Sequence, residues 1–479
     1  MATATDIPWA LDKMDREGVA RFLTKYLDHS ENVKVLNINA PWGTGKTFFL
    51  NNWYHSETSN SRACVYFNAW ETDFSGDAFV SLVASIRDQL EENIGSARKA
   101  KNTLAKFTQK ASKTLIAATP AITKGIIKRA TYLDLDLLTD KIDEDSIGDA
   151  AEKAAERLIQ SNKETLKTVS DFKLVFIELL NLAAKNQAKE GDVKPVYIFI
   201  DELDRCRPTF AIELLERIKH LFGVPSCKFI IATDTAQLGE SVRAVYGAGF
   251  ASEKYLSRFF DREYTLTIGD YTAWIKSNCA HYTSSTFTTL GMVLKHSTTA
   301  MSFRRQHDET YSPPSNEVDF ATDSDLSEPQ LVILALSKTF NPSLRDLEKI
   351  IHHIDAIQSN IEVAEFHFFW AAYLTFLKME APALYSKTMN SKSRASISEI
   401  AERYTPRAFY FHQTSITVHE LFLTYLALHK EGRQFARDQM MSPSNAQLNY
   451  VGNAAAAFHN EPVTMRLYPT MVDLAHSIK

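Results

Sequence analysis

Residues 33–48 read VKVLNINAPWGTGKTF, and this stretch decides the fold. Val33, Val35, Leu36 and Ile38 are apolar, the pattern of a short buried strand over 33–39. Residues 40–47, APWGTGKT, match the phosphate-binding pattern G-x-x-x-x-G-K-[ST] at Gly45, Lys46 and Thr47, with Ala40 in place of the first glycine. Gly43 and Gly45 can take positive φ and turn successive backbone N–H groups toward one point. A helix starting at Thr47 adds its N-terminus to that cradle. Lys46 then reaches β- and γ-phosphate oxygens, and the Thr47 hydroxyl can bind magnesium. Pro41, Trp42, Gly43, Thr44, Gly45, Lys46, Thr47 and Phe48 are the expected nucleotide contacts. Ala40 fits only if its φ stays negative. The alternative, an unrelated strand–turn–helix, is weakened by a strand before the loop and a helix after it.

The second half of the site is VYIFIDELDRC, residues 196–206. A buried apolar strand ends there in Asp201 and Glu202. An acid at the C-terminal end of a parallel strand opens onto the crevice where ligands bind. Asp201 is the expected magnesium residue, acting through water. Glu202 is placed to polarise an attacking water as general base. An Asp-Glu pair after a strand is also a common helix N-cap. Beside the phosphate loop that alternative loses its force.

Further strands are expected at 63–69 (ACVYFNA), 228–234 (KFIIATD) and 262–268 (REYTLTI). Apolar residues at helical spacing predict a helix over 15–29 and another between the strands at 196–201 and 228–234. Gly223 and Pro225 would stop the latter. Near-continuous apolar strands alternating with helices imply an α/β fold, a parallel sheet covered on both faces. Residues 76–190 carry no strong strand signal and read as a helical insertion. The expected organisation is a nucleotide domain over 1–275, a connecting segment with a flexible loop over 276–329, and an all-helical lid and C-terminal domain over 330–479.

The bulk numbers agree with an ordinary soluble chain. There are 479 residues, 45% hydrophobic and 23% charged, with a net charge of −5. That balance does not make nucleic acid the default partner. Four scattered cysteines without a CxxC pair indicate neither a zinc site nor a disulfide framework. The N-terminus lacks the basic start and apolar run of a secretory signal. Residues 115–127, LIAATPAITKGII, are too short and too interrupted to span a membrane. A cytoplasmic location without a membrane span is therefore expected. His352, His353 and His459 have no partners at zinc-ligand spacing. The aromatics of 365–379 fit a buried helix better than a base-stacking platform.

These residues resemble the KAP family of P-loop NTPases, in the additional-strand ATPase class. PWGTGKT (41–47), FNAW (67–70), IDELDRCRP (200–208), FIIATD (229–234), YLSRFFDREYTL (255–266) and NPSLRDLEKII (341–351) carry the resemblance, with the lead-in DIPWALDKMDREG at 6–18. Many relatives carry a transmembrane hairpin in the insertion; here there is no convincing one. Relatives usually have Asp where this chain has Glu202.

The resemblance implies ATP and magnesium as ligands and ATP hydrolysis as the activity. It also implies a γ-phosphate sensor at Asp234 or the adjacent Thr233, and a lid arginine at Arg345. Arg258 falls where oligomeric relatives of the wider class place an arginine acting in trans. Each arginine suits a transferring phosphoryl group, although a solvated side chain or an Arg258–Asp261 pair is the ordinary alternative. Asp204 and Arg205 remain open between an internal ion pair and an interface. Two functions are consistent with this: a nucleotide-driven switch in a homo-oligomer or with an effector protein, or a motor on nucleic acid. The acidic balance favours the switch. Bacterial members are associated with phage exclusion, which makes antiviral defence the implied setting.

Overall fold

The computed structural model describes residues 7–478 apart from 76, 96–97, 131–143, 189–191, 222, 283–316, 319–325, 362–365, 391–394, 407, 412–413, 442–448 and 461. The chain divides into two compact units, Met1–Thr267 and Ile268–Lys479.

In the first unit the apolar runs form five parallel strands: β1 (Val35–Asn39), β2 (Cys64–Asn68), β3 (Val196–Asp201), β4 (Cys227–Thr233) and β5 (Arg262–Thr265). Their spatial order is β2-β3-β4-β1-β5. Thus β4 lies between the strand that feeds the phosphate loop and the strand that ends in the acids. β5 ends three residues before the sequence-based limit. It is an edge strand and mostly exposed, so its side chains lack the two-sided burial that extends β3 and β4.

Alternating residues of each strand feed opposite faces. Leu36, Ile38, Tyr197, Phe199, Ile230 and Ala232 pack with Leu23 and Leu27 of α1 (Arg16–His29) and Phe49, Leu50 and Trp53 of α2 (Lys46–Ser59). Val35, Val65, Phe67, Ile198, Ile200, Phe229 and Ile231 face the other way. They meet the helices that follow β2. After the single turn α3 (Ala69–Thr72) these are α4 (Ala78–Asn93), α5 (Arg98–Ala130), α6 (Glu144–Gln187) and, after β3, α7 (Pro208–Leu221). The expected insertion is thus helical, and its base is core. Phe107 stacks on Phe172 and Phe176, with ring centroids 5.5 and 5.6 Å apart. Residues 115–127 lie within α5; their side chains are outside the described residues. Among the described residues no helix is long and apolar enough to cross a membrane. All four cysteines are buried free thiols.

The second unit is built mainly of helices, from Thr272–Asn278 to Pro462–His476. Of residues 365–379, expected as a buried helix, the structure forms the helix Phe368–Glu380 and buries it from Phe368 to Leu377. Trp370 stacks on Phe422 and Tyr425 at centroid distances of 5.7 and 5.6 Å. One correction applies to the all-helical expectation. A three-stranded sheet joins β6 (Glu317–Val318), β7 (Ala408–Phe411) and β8 (Thr414–Thr417). The sequences AFYF and TSIT are aromatic and β-branched, composition that favours pairing over helix. Most of the connecting segment expected over 276–329 lies outside the described residues.

Candidate functional site

The phosphate loop joins β1 to α2, and its backbone has the anticipated shape. Gly43 and Gly45 have φ of 82° and 87°. Ala40 is not among the positive-φ residues and donates its N–H to Thr233 O at 3.0 Å, which continues the sheet into the loop. Lys46 opens α2. Its Nζ donates to Ala40 O at 2.7 Å and lies 3.5 Å from Pro41 O, across the base of the loop. Thr44 donates its hydroxyl to Pro41 O at 2.5 Å. Thr47 is exposed at the mouth, while Phe48 is half-buried edge-on to Trp9.

A residue that the sequence does not single out braces this loop from behind. Arg16, on the first turn of α1, is 3% exposed. Its guanidinium donates to Thr44 O at 2.6 Å and to Gly45 O at 3.0 Å. Holding those carbonyls inward turns the peptide N–H groups the other way, toward where phosphate would sit. A Cβ at Gly45 would come 2.9 Å from Arg16 Nη1 and displace the guanidinium, while the φ of 87° is what demands glycine there. Burial lowers the Arg16 pKa.

At the end of β3, Asp201 is 1% exposed. The Tyr66 hydroxyl donates to its Oδ2 at 2.7 Å and the Glu202 N–H to its Oδ1 at 2.9 Å, so the carboxylate is held in one orientation. Glu202 has a left-handed backbone, φ 59°, which turns the chain sharply as the strand ends. Its Oε1 lies 3.5 Å from Thr47 Oγ1 and 2.9 Å from Arg205 Nη1. Burial raises the Glu202 pKa, and the Arg205 guanidinium opposes the shift. Arg205 also lies over the Trp70 ring, 5.7 Å from its centroid. The neighbouring Asp204, left open above, turns inward toward Trp42, Lys46 and Asp234.

The end of β4 carries the two sensor candidates. Thr233 is fully buried and donates its hydroxyl to Asn37 Oδ1 at 2.8 Å. Asp234 caps α8 (Thr235–Tyr246), its Oδ1 accepting from the Gln237 N–H at 3.2 Å. The loop, Asp201, Glu202 and Asp234 are therefore gathered at one edge of the sheet. Arg258 is not drawn into them. It is exposed in a turn after α9 (Ser252–Leu256) and makes no side-chain hydrogen bond or ion pair among the described residues. Nor does it pair with Asp261, whose carboxylate accepts from the N–H groups of Lys34 and Val35 at 2.8 and 3.0 Å and lies 3.3 Å from Lys219 Nζ. Arg345 is exposed on the first turn of the helix Leu344–Asn360, in the second unit.

The donor set fits magnesium. A hydroxyl and carboxylates are hard oxygen ligands, and among the described residues no cluster of three His, Cys, Asp or Glu makes a self-sufficient metal cage. Magnesium bound by one or two side chains, water and substrate phosphates needs no such cage.

The strand order, the glycine-shaped loop ending in Lys46, and the acids at the end of β3 define a P-loop NTPase. The family model described as the KAP family P-loop domain matches residues 16–361, and the chain belongs to that family. A comparison with curated proteins finds no match. Among solved structures, the chain is similar to the Aeropyrum pernix ORC2 protein in its ADPNP-ADP complexes, at 9% identity. That match covers 93% of this chain and 94% of the other at a TM-score of 0.27, which carries no weight for function.

Proposed function

We propose that this chain binds ATP with magnesium, hydrolyses it, and uses the nucleotide state to switch an assembly. The observation that carries the reading is the loop itself. Gly43 and Gly45 have positive φ, Lys46 starts α2, and Glu202 stands 3.5 Å from Thr47 across the mouth. Loop N–H groups and the α2 N-terminus bind the phosphates. Lys46 leaves its carbonyl partners for the β and γ oxygens. Thr47, and Asp201 through water, would hold a magnesium ion, whose charge would offset that of the phosphates. Glu202 accepts a proton from the attacking water, and burial, by raising its pKa, makes it a stronger base than an exposed carboxylate. Asp234 or Thr233 reads the γ-phosphate, and Arg345 and Arg258 supply further positive charge.

The family's association with phage exclusion supports antiviral defence in the cytoplasm as the setting, with a homo-oligomer or an effector protein as the partner. Calorimetry with ATP and magnesium tests the core of this reading. Lys46→Ala is expected to remove most affinity, and unchanged affinity would refute it. Turnover with and without DNA or RNA tests the switch, because strong stimulation would favour a motor on nucleic acid.

A further inference from the structure

One buried carboxylate oxygen collects donors from both halves of the site. Asp204 Oδ2 accepts from the Trp42 indole N–H at 2.7 Å and from the Asp234 backbone N–H at 2.8 Å. The Lys46 ammonium stands 3.4 Å from the same oxygen. The Asp204 side chain is 2% exposed. A carboxylate so buried is tolerable only with charge-assisted partners. Those partners come from the phosphate loop and from the end of β4, two segments joined here through a third. The short 3₁₀ turn Leu203–Arg205 makes this possible, aiming Asp204 inward while Arg205 stays exposed.

We infer that Asp204 is a positioning residue that locks the phosphate loop to the end of β4 and parks Lys46 between nucleotides. The inference rests on the ATPase reading above and adds a device to it. Among the described residues the partners of Lys46 are internal: Ala40 O, Pro41 O and Asp204. A triphosphate therefore competes with Asp204 for the ammonium. Once Lys46 turns to the phosphates, Asp204 still holds Trp42 and Asp234, so the loop and the β4 end keep their mutual register. Two consequences of opposite sign follow. Asp204 opposes ground-state binding, because it attracts the cation the ligand needs. It assists the transition state, where the alignment of loop, Glu202 and β4 end matters most.

The test is steady-state ATPase kinetics on the full chain with Asp204→Asn, Trp42→Phe and the double variant. Asp204→Asn keeps the shape and removes the charge. Its KM for ATP is expected to be unchanged or lower, while kcat falls roughly tenfold or more, the size of one charge-assisted hydrogen bond. Trp42→Phe keeps an aromatic ring at an exposed position and removes the indole N–H donor with part of the ring. Its kcat should fall in the same direction by a smaller factor, and the double variant should lose less than the product of the two single losses, because the Trp42 bond is one of those Asp204 makes. A purely structural role would raise KM as kcat falls. Wild-type kcat in Asp204→Asn, a raised KM, or losses that multiply in the double variant would overturn the inference. Should Asp204→Asn fail to fold, unchanged kcat in Trp42→Phe overturns it alone. Lys46→Ala separates the two levels. Retained ATP affinity there defeats the phosphate-loop reading, whereas lost affinity beside a normal Asp204→Asn defeats only this inference.

Discussion

Replacing Arg16 by methionine should cripple nucleotide binding without touching a residue that contacts nucleotide. The guanidinium makes two hydrogen bonds to loop carbonyls, at 2.6 and 3.0 Å, from a site 3% exposed. Bonds from a charged donor contribute about 1.5–3 kcal/mol each, and an orphaned buried carbonyl costs about 1–3 kcal/mol. Against this stands the cost of burying the cation. That cost is visible in the lowered Arg16 pKa and in its Nε, which has no partner among the described residues. Crediting one bond of the two leaves about 2–3 kcal/mol. Methionine keeps the apolar stem, so the loss falls on loop order rather than on packing. If nucleotide must re-impose that order, ATP affinity drops roughly thirty- to a hundredfold, at about 1.4 kcal/mol per tenfold. Arg16→Lys supplies one ammonium where a fork is needed and should fall between. Calorimetry with ATP and magnesium, alongside thermal unfolding, measures both effects. Wild-type ATP affinity in Arg16→Met would show that the loop holds its shape unaided and would refute the bracing role.

Glu202→Gln should retain ATP binding and lose roughly 10²-fold or more in turnover, as for a missing general base. A base must be deprotonated, so activity is lost as pH falls through its pKa. Since burial raises that pKa and Arg205 restrains it, Arg205→Ala should move the acid limb of the kcat profile upward; an unmoved limb would count against Glu202 as base. Arg258→Ala should leave ATP binding intact and abolish turnover if it acts in trans, where such an arginine contributes ~10³–10⁵. Mixing it with Lys46→Ala should restore activity, whereas Arg345→Ala mixed with Lys46→Ala should not; normal hydrolysis by Arg258→Ala removes the case for trans action. In the second unit His367 is buried and its pKa is pushed down to about 4. Its contribution is intact above the ordinary value of 6.5 and is lost as pH falls below it, because only the unfolded chain then takes up the proton. The linkage gives a loss of about 2 kcal/mol by pH 5, so melting curves at pH 7 and 5 should differ less in His367→Gln than in the unaltered chain.

Much of the first unit was legible because its information is contiguous. β1, the loop and the start of α2 are neighbours in the chain, and two-sided burial writes β3 and β4 as unbroken apolar runs. β5 was overextended because an edge strand shares its composition with the coil that follows. The β7–β8 hairpin was lost because aromatic residues dominate its helical surroundings too, so four-residue strands gave no separate period.

The site was legible in its ligands and illegible in their supports, for a physical reason. A phosphate loop must present its own glycines and lysine, so pattern and function coincide there. Arg16 acts on backbone carbonyls 28 and 29 residues away, and a carbonyl has no residue type to recognise. Tyr66 reaches Asp201 over 135 residues, through the pairing of β2 with β3. An Arg258–Asp261 pair needs a helical turn between them, but the helix stops at Leu256, and Asp261 instead bonds the N–H groups of Lys34 and Val35 beside β1. Asp204 is the intermediate case. DELDR displays its charges, yet only the 3₁₀ turn decides that Asp204 faces Lys46 while Arg205 faces Glu202. Groups that touch the ligand are thus specified locally, and groups that hold them in place are specified by whichever strand or helix the fold brings alongside.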